Sequence, residues 1–254
     1  MAKTISFSIF KGGTGKTTTA VNTSALLAEM GKKVLLVDLD QQASSTRYVG
    51  LEPEQINPTL FHVFRNQVPA SVARKQTDFG FDLIPSSSLM AAIEEALENS
   101  DDLLLRTILA PLQEEYDYIL LDTPPGKAHL SFNSMLAADY IIIPCSAERM
   151  AVDGLNDMIK HIQQVVWHKY PEETNKQEIR ILFTMFKKHT THSPGVVERS
   201  KKMYRDNVLD MFIPETIEFP RSFDQRKPIN VLTPKHQATK AYRLFAKWIT
   251  KTIV

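Results

Sequence analysis

Phe10-Lys11-Gly12-Gly13-Thr14-Gly15-Lys16-Thr17-Thr18 is the stretch that decides how this 254-residue chain is read. A largely apolar run, Ile5 to Phe10, leads into it and reads as a strand. Thr19 to Met30 follows and reads as a helix with Leu26, Leu27 and Met30 on one side. Strand, glycine-rich turn and helix are the context a phosphate-binding loop needs. Glycines let backbone N–H groups turn inward on an anion without Cβ clashes, and the helix N-terminus adds partial positive charge at the same point. Gly12, Gly13, Thr14, Gly15 and Thr18 then form the cradle, Lys16 reaches the β- and γ-phosphates, and the Thr17 hydroxyl ligates Mg²⁺. The loop departs from the plain pattern in one respect. That pattern has Gly five residues before Gly15, where Phe10 stands, and here an additional lysine, Lys11, precedes two glycines.

Two acidic strand ends follow in order. Val34-Leu35-Leu36-Val37-Asp38 is a continuous apolar run closed by an acid, as expected of a strand buried on both faces. It continues as Leu39-Asp40-Gln41-Gln42, so two carboxylates spaced by one lie where α/β sheets place ligands. Tyr116 to Leu121, closed by Asp122 and then Thr123-Pro124-Pro125-Gly126, follows the logic of a buried strand that delivers a carboxylate to Mg²⁺. Phe81 to Pro85, Tyr140 to Pro144 and Ile179 to Met185 read as further strands. Leu89 to Ala110 and Val152 to Trp167 read as helices, the first with a solvated acidic surface at Glu94-Glu95 and Asp101-Asp102.

These three motifs together resemble the ParA/MinD family of dimeric ATPases, whose phosphate loop is the "deviant" form with the extra lysine. The resemblance covers nearly the whole chain. It implies one doubly wound α/β domain over residues 1–254, with a mostly parallel sheet of the P-loop NTPase type. It implies ATP and Mg²⁺ as cofactors and a homodimer in which Lys11 crosses to the partner's phosphates. Carried over by position, Asp40 orients the attacking water, Asp38 supports Mg²⁺ and the loop, and Asp122 belongs to the metal sphere. Gln41 stands where the family usually has proline, which bears on the local turn. Met185 and Pro214 fall where relatives hold adenine. The family activity is hydrolysis of ATP, stimulated by a ParB-like or cargo adaptor protein, in the cytoplasm and on the nucleoid when ATP is bound.

Composition bounds the partners. A hydrophobic fraction of 43% suffices for the core of one such domain. Residues 1–150 hold 12 Lys+Arg against 18 Asp+Glu, and residues 151–254 hold 18 against 11, so −6 and +7 sum to the overall +1. This asymmetry predicts a basic surface on the C-terminal part. Lys187, Lys188, Arg199, Lys201, Lys202 and Arg205 form one basic run, and eight basic residues lie between Arg221 and Lys251. The candidate contacts to non-specific DNA are Lys201, Lys202, Arg205, Arg221 and Arg226. DNA-binding relatives often carry an arginine where this chain has Glu218. The last helix places Lys240, Arg243, Lys247 and Lys251 on one face and Tyr242, Phe245, Trp248 and Ile249 on another. That pattern suits phosphate contacts, a MinD-like membrane-cycling terminus, or a helix packed on the sheet with a wet lysine face; a membrane anchor is not expected. No apolar run approaches the ~20 residues of a membrane span, and no signal-peptide pattern opens the chain. The one cysteine, Cys145, excludes an internal disulfide and fits a reducing cytosol. Two thiolates per dimer fall short of the four a metal cluster usually takes, which disfavours a cluster carrier.

Overall fold

The structure, a computed structural model, describes residues 1–97, 102–148, 151–187 and 192–253. Lys188 and Asp101 lie outside them. Eight strands form one sheet in the order β3-β4-β2-β5-β1-β6-β7-β8. They are β1 Lys3–Phe7, β2 Val34–Asp38, β3 Lys75–Gln76, β4 Asp82–Ile84, β5 Tyr118–Asp122, β6 Tyr140–Ser146, β7 Glu178–Phe186 and β8 Val208–Pro214. Every pairing is parallel except β3 with β4 at one edge. A doubly wound, mostly parallel α/β fold is thus what the chain adopts.

The apolar runs explain why both faces are covered. Val34 and Leu36 of β2 join Ile5, Phe7 and Leu120 in a core beneath the helices Lys16–Glu29 and Gln237–Thr252. Leu35 and Val37 point the other way, into a core with Ile84, Ile119 and Leu121 under the helices Leu60–Phe64, Met90–Leu97 and Leu104–Leu109. Ile141, Ile143, Ile181 and Phe183 build a third cluster under Ala151–His161 and the π turn Ile162–Val166 that continues it.

Two expectations need correction. Leu89 to Ala110 is not one helix: described helices cover Met90–Leu97 and Leu104–Leu109. Nor are its acids simply solvated. Glu94 accepts backbone N–H bonds from His129 and Leu130, capping the helix His129–Ala137. Asp102 accepts from Lys169 Nζ at 2.6 Å and Tyr170 Oη at 2.5 Å. The last helix packs on the sheet: Tyr242, Phe245 and Ile249 are buried, and its apolar face is not offered to lipid. No helix among the described residues is long and apolar enough to cross a membrane.

Candidate functional site

The sheet order puts β1 between β5 and β6, so successive strands leave it on opposite sides and a crevice opens at its carboxyl end. The phosphate loop fills that position. Gly13 and Gly15 take φ of 72° and 87°, left-handed conformations that favour glycine. The loop is docked rather than loose: Thr184 Oγ1 at the end of β7 donates to Thr14 O at 2.8 Å, and Gly126 N donates to Phe10 O at 2.8 Å. The backbone N–H groups of Gly13 to Thr18 find no acceptor among the described residues, and the Thr14 hydroxyl is buried without one. Buried or inward donors left unpaired are costly, and an anion is the group that pairs them all at once.

Strand register assembles the carboxylates. Asp38 and Asp122 are direct partners across the β2–β5 pair, and Phe7, the last residue of β1, partners Asp122 on its other side. Both acids are fully buried and Asp40 is 8% exposed. Asp38 is occupied by its own chain. Oδ2 accepts from Thr46 N at 2.8 Å and Thr46 Oγ1 at 2.7 Å, and Oδ1 accepts from Asp40 N at 3.2 Å. Asp40 accepts Gln42 N on Oδ1 at 2.9 Å, and its carbonyl accepts Ser86 Oγ at 2.6 Å. The turn after it, where Gln41 replaces proline, is completed by Ala43 at φ 52°. Asp122 accepts Ser45 Oγ on Oδ2 at 2.8 Å, whereas Oδ1 is buried without a hydrogen-bond partner. Thr17 stands by this carboxylate short of a hydrogen bond and stabilises its charge.

Lys16 is buried, and Nζ donates to Ile9 O at 3.3 Å. Burial holds its pKa below the ordinary lysine value, while Asp122 and Asp40 pull it back up. Burial likewise raises all three acids: Asp38 and Asp40 lie above their usual range, and Asp122 is pushed up to about 6. Lys11, by contrast, is exposed at the tip of the loop. A buried oxygen of Asp122 with no donor, beside a threonine hydroxyl, is the oxygen-rich pair a Mg²⁺ ion takes, so the residues present fit the metal. Asp38 Oδ2 is occupied by both donors of Thr46, while Oδ1 accepts only Asp40 N.

A family profile described as an AAA domain matches residues 2–178. The sporulation initiation inhibitor protein Soj of Bacillus subtilis (strain 168) is 31% identical over 250 residues, 97% of this chain and 98% of that protein. The chain belongs to the ParA/MinD-type ATPases. Among solved structures of this family's fold, a plasmid partition protein of Borrelia burgdorferi is 27% identical with a TM-score of 0.76, covering 98% of each chain. Cobyrinic acid a,c-diamide synthase of Mycobacterium smegmatis, with bound ATP analog and magnesium, is 28% identical with a TM-score of 0.85, covering 100% of this chain and 98% of that one.

Against the family pattern, sequence reasoning missed the hydroxyls that brace the site: Ser45 and Thr46 on the carboxylates of Asp122 and Asp38, Ser86 on the backbone carbonyl of Asp40, and Thr184 on the loop at Thr14 O. The signal was present in the Ser44-Ser45-Thr46 run that follows the second acidic pair. Met185 and Pro214 do lie together. Phe186 partners Pro214 between β7 and β8, and Met185 sits at φ 51° one residue past the Thr184 that holds the loop. The basic candidates are less uniform. Lys201 pairs with Asp210 at 2.5 Å, Lys202 with Glu198 at 3.1 Å, Arg221 with Glu218 at 3.7 Å, and Arg226 with Glu52. Arg205 has no ion pair among the described residues. The cation is solvent-exposed in each pair, and Glu218 alone among the acids is largely covered. An exposed pair is worth about 0–1 kcal/mol, and a phosphate competes with it readily.

The buried carboxylates yield a stability prediction. Asp122 titrates near 6 in the fold against about 3.9 in an unfolded chain, so the folded state holds its proton more tightly. Sign follows directly: the ligand-free protein gains stability as pH falls from about 7 towards 4, and above that window the ionised group opposes folding. Asp122→Asn is expected to raise the ligand-free thermal midpoint, by about 1–3 kcal/mol equivalent, and to flatten its rise on acidification. The same variant is expected to lose Mg²⁺-dependent turnover. Thermal scans at pH 5 and 7.5 read the first effect; a variant with lower stability than its parent at pH 7.5 contradicts it.

Proposed function

We propose that the chain is a ParA-type positioning ATPase in which ATP and Mg²⁺ close a sandwich homodimer. The observation that carries this reading is the division of the two loop lysines. Lys16 is buried among the acids of its own chain, while Lys11 is exposed on the same loop, as suits a residue that serves a second copy. The cradle N–H groups of Gly12 to Thr18 bind the phosphates, and Lys16 meets the β/γ charge. Mg²⁺, when bound, neutralises developing charge; Thr17 and Asp122 hold it, while Asp38 fixes the turn that carries Asp40. Asp40 orients the water for in-line phosphoryl transfer, and Lys11 of a second copy completes charge stabilisation. Met185 and Pro214 flank the adenine.

The ATP dimer binds DNA without reading sequence, through Lys201, Lys202, Arg205, Arg221 and Arg226. A ParB-like or cargo adaptor protein stimulates a weak basal hydrolysis and releases the DNA, so that a plasmid, chromosome or other cargo is positioned. Lys227, Lys235, Lys240, Lys247 and Lys251 are exposed as well and add positive charge to the C-terminal part. Phosphate contacts carry no base information, so affinity is expected to be alike on unrelated duplexes and to fall steeply with salt. Reversing Arg221 and Arg226 to Glu is expected to weaken DNA binding at least tenfold with basal ATPase intact, about 1.4 kcal/mol or more in binding. A polarisation titration on random duplex at several salt concentrations, with and without ATP, is the test. Binding that ignores salt, or is equally tight without nucleotide, removes the DNA reading. Vesicle flotation with ATP would then decide for a MinD-like membrane cycle, against which the buried apolar face of the last helix already argues.

A further inference from the structure

Asn22, one turn beyond the phosphate loop, is buried with its amide fully committed. Its two N–H bonds go to Thr18 O at 2.7 Å and Tyr48 Oη at 3.2 Å, and its carbonyl oxygen accepts Ile229 N at 2.7 Å. Tyr48 Oη then meets Ser222 Oγ at 2.9 Å, and Ser222 Oγ donates to Lys227 O. Donor counting orients the chain. Ser222 spends its one proton on Lys227 O, so Tyr48 donates to Ser222 and accepts from Asn22. The relay runs Asn22, Tyr48, Ser222, Lys227 in one direction, with every member buried or at the base of the 222–229 turn.

Tyr48 also closes a second path. It ends the helix Ser44–Tyr48, whose Ser45 holds Asp122 and whose Thr46 holds Asp38. The phosphate loop and the carboxylate pair therefore converge on one hydroxyl. On the far side, Ser222 and Ile229 bracket the turn that carries Arg226, itself at φ 54°. Tyr48 stacks edge-on against Phe223 at 5.3 Å, and Thr19 at the start of the loop helix shares a 3.0 Å bond with Tyr242 of the last helix.

We propose that Asn22 and Tyr48 are positioning residues that set the 218–229 segment according to the state of the nucleotide site. This rests on the DNA reading only for the consequence at Arg221 and Arg226, not for the coupling itself. Neither residue touches the phosphates. The reason the coupling is obligatory is desolvation: a buried donor that loses its acceptor is costly, so Ile229 and Ser222 follow Asn22 and Tyr48 when the loop or the carboxylate helix shifts. By linkage, if ATP orders the segment, a ligand that holds the segment in that order must tighten ATP binding by the same factor.

The test uses Tyr48→Phe, which keeps the ring against Phe223 and removes only the hydroxyl, together with Ser222→Ala and the double variant. Hydrogen exchange of the 218–229 amides is measured with and without Mg-ATP, alongside ATP affinity and ATP-dependent DNA affinity. In the parent, ATP is expected to slow exchange at Ile229 and its neighbours. In Tyr48→Phe that difference is expected to shrink about fivefold, one hydrogen bond being worth about 1 kcal/mol, while ATP affinity changes by less than that factor. The double variant is expected to match either single one, since both cut the same relay. ATP-dependent exchange in 218–229 that is absent in the parent, or undiminished in Tyr48→Phe, overturns the proposal. A parent that shows the exchange response yet binds no duplex at any salt retires the DNA reading and leaves the positioning role standing.

Discussion

Lys16→Ala is expected to abolish every nucleotide-dependent property of the protein. The side chain is buried at the loop, within the field of Asp122 and Asp40, and among the described residues no other cation acts on those two acids. Removing it leaves the β/γ-phosphate charge facing two carboxylates. Truncating one partner of a desolvated charge pair costs about 2–5 kcal/mol, roughly 30- to several-thousand-fold in affinity. The ligand-free fold is affected less plainly by charge: burial works against the charged lysine, but its removal leaves Asp122 and Asp40 without the cation that offsets them. Isothermal titration with ATP and a thermal scan without nucleotide separate binding from folding. Retained ATP affinity and turnover in a folded variant would remove the site assignment.

Asp40→Ala and Lys11→Ala are expected to fail in different ways. Asp40 is 8% exposed at the mouth of the carboxylate cluster, its backbone pinned by Asp38 and Ser86. Its removal leaves the cradle, Lys16, Thr17 and Asp122 in place. ATP should still bind, hydrolysis should fall about 10²-fold or more through lost water positioning, and the chain should accumulate as an ATP-bound dimer. Lys11→Ala leaves the intrachain contacts untouched because Lys11 makes none of the site's hydrogen bonds. It should bind nucleotide through Lys16 yet lose stable dimerisation and turnover.

How much of this was visible in the sequence depended on burial. β2 was legible to the residue, Val34 to Asp38, because a strand covered on both faces needs an unbroken apolar run. β6 and β7 were legible within two residues for the same cause. β3, two polar residues paired at an edge, carries no periodicity to read. The Leu89–Ala110 stretch misled because its helical apolar spacing continues across the interval between two separate helices, while Glu94 and Asp102 are tied by tertiary contacts that spacing does not encode. In the site, the loop and the acids were visible because their chemistry demands fixed residue types at fixed spacing. Ser45 and Thr46 were not, since a hydroxyl that holds a carboxylate looks like any loop serine or threonine until the chain brings them together. Asp38 shows the difference: its position was evident, but that three donors of its own chain occupy it became evident only from the fold.

The most direct test of the shared site mixes the two inactive chains. In a sandwich dimer formed from Lys11→Ala and Asp40→Ala, one site joins intact Asp40 of the first chain with intact Lys11 of the second; the other site lacks both. Random pairing would make half the dimers mixed, each with one complete site of two, so about a quarter of the parent rate is the ceiling for an equal mixture, and self-pairing of Asp40→Ala lowers the yield below it. The measurement is phosphate release from the separate variants and from the mixture, combined before ATP is added. A rate above the mean of the separate variants, up to that ceiling, is the expected result. A mixture no faster than the mean of its two components would contradict a site completed by Lys11 from a second copy.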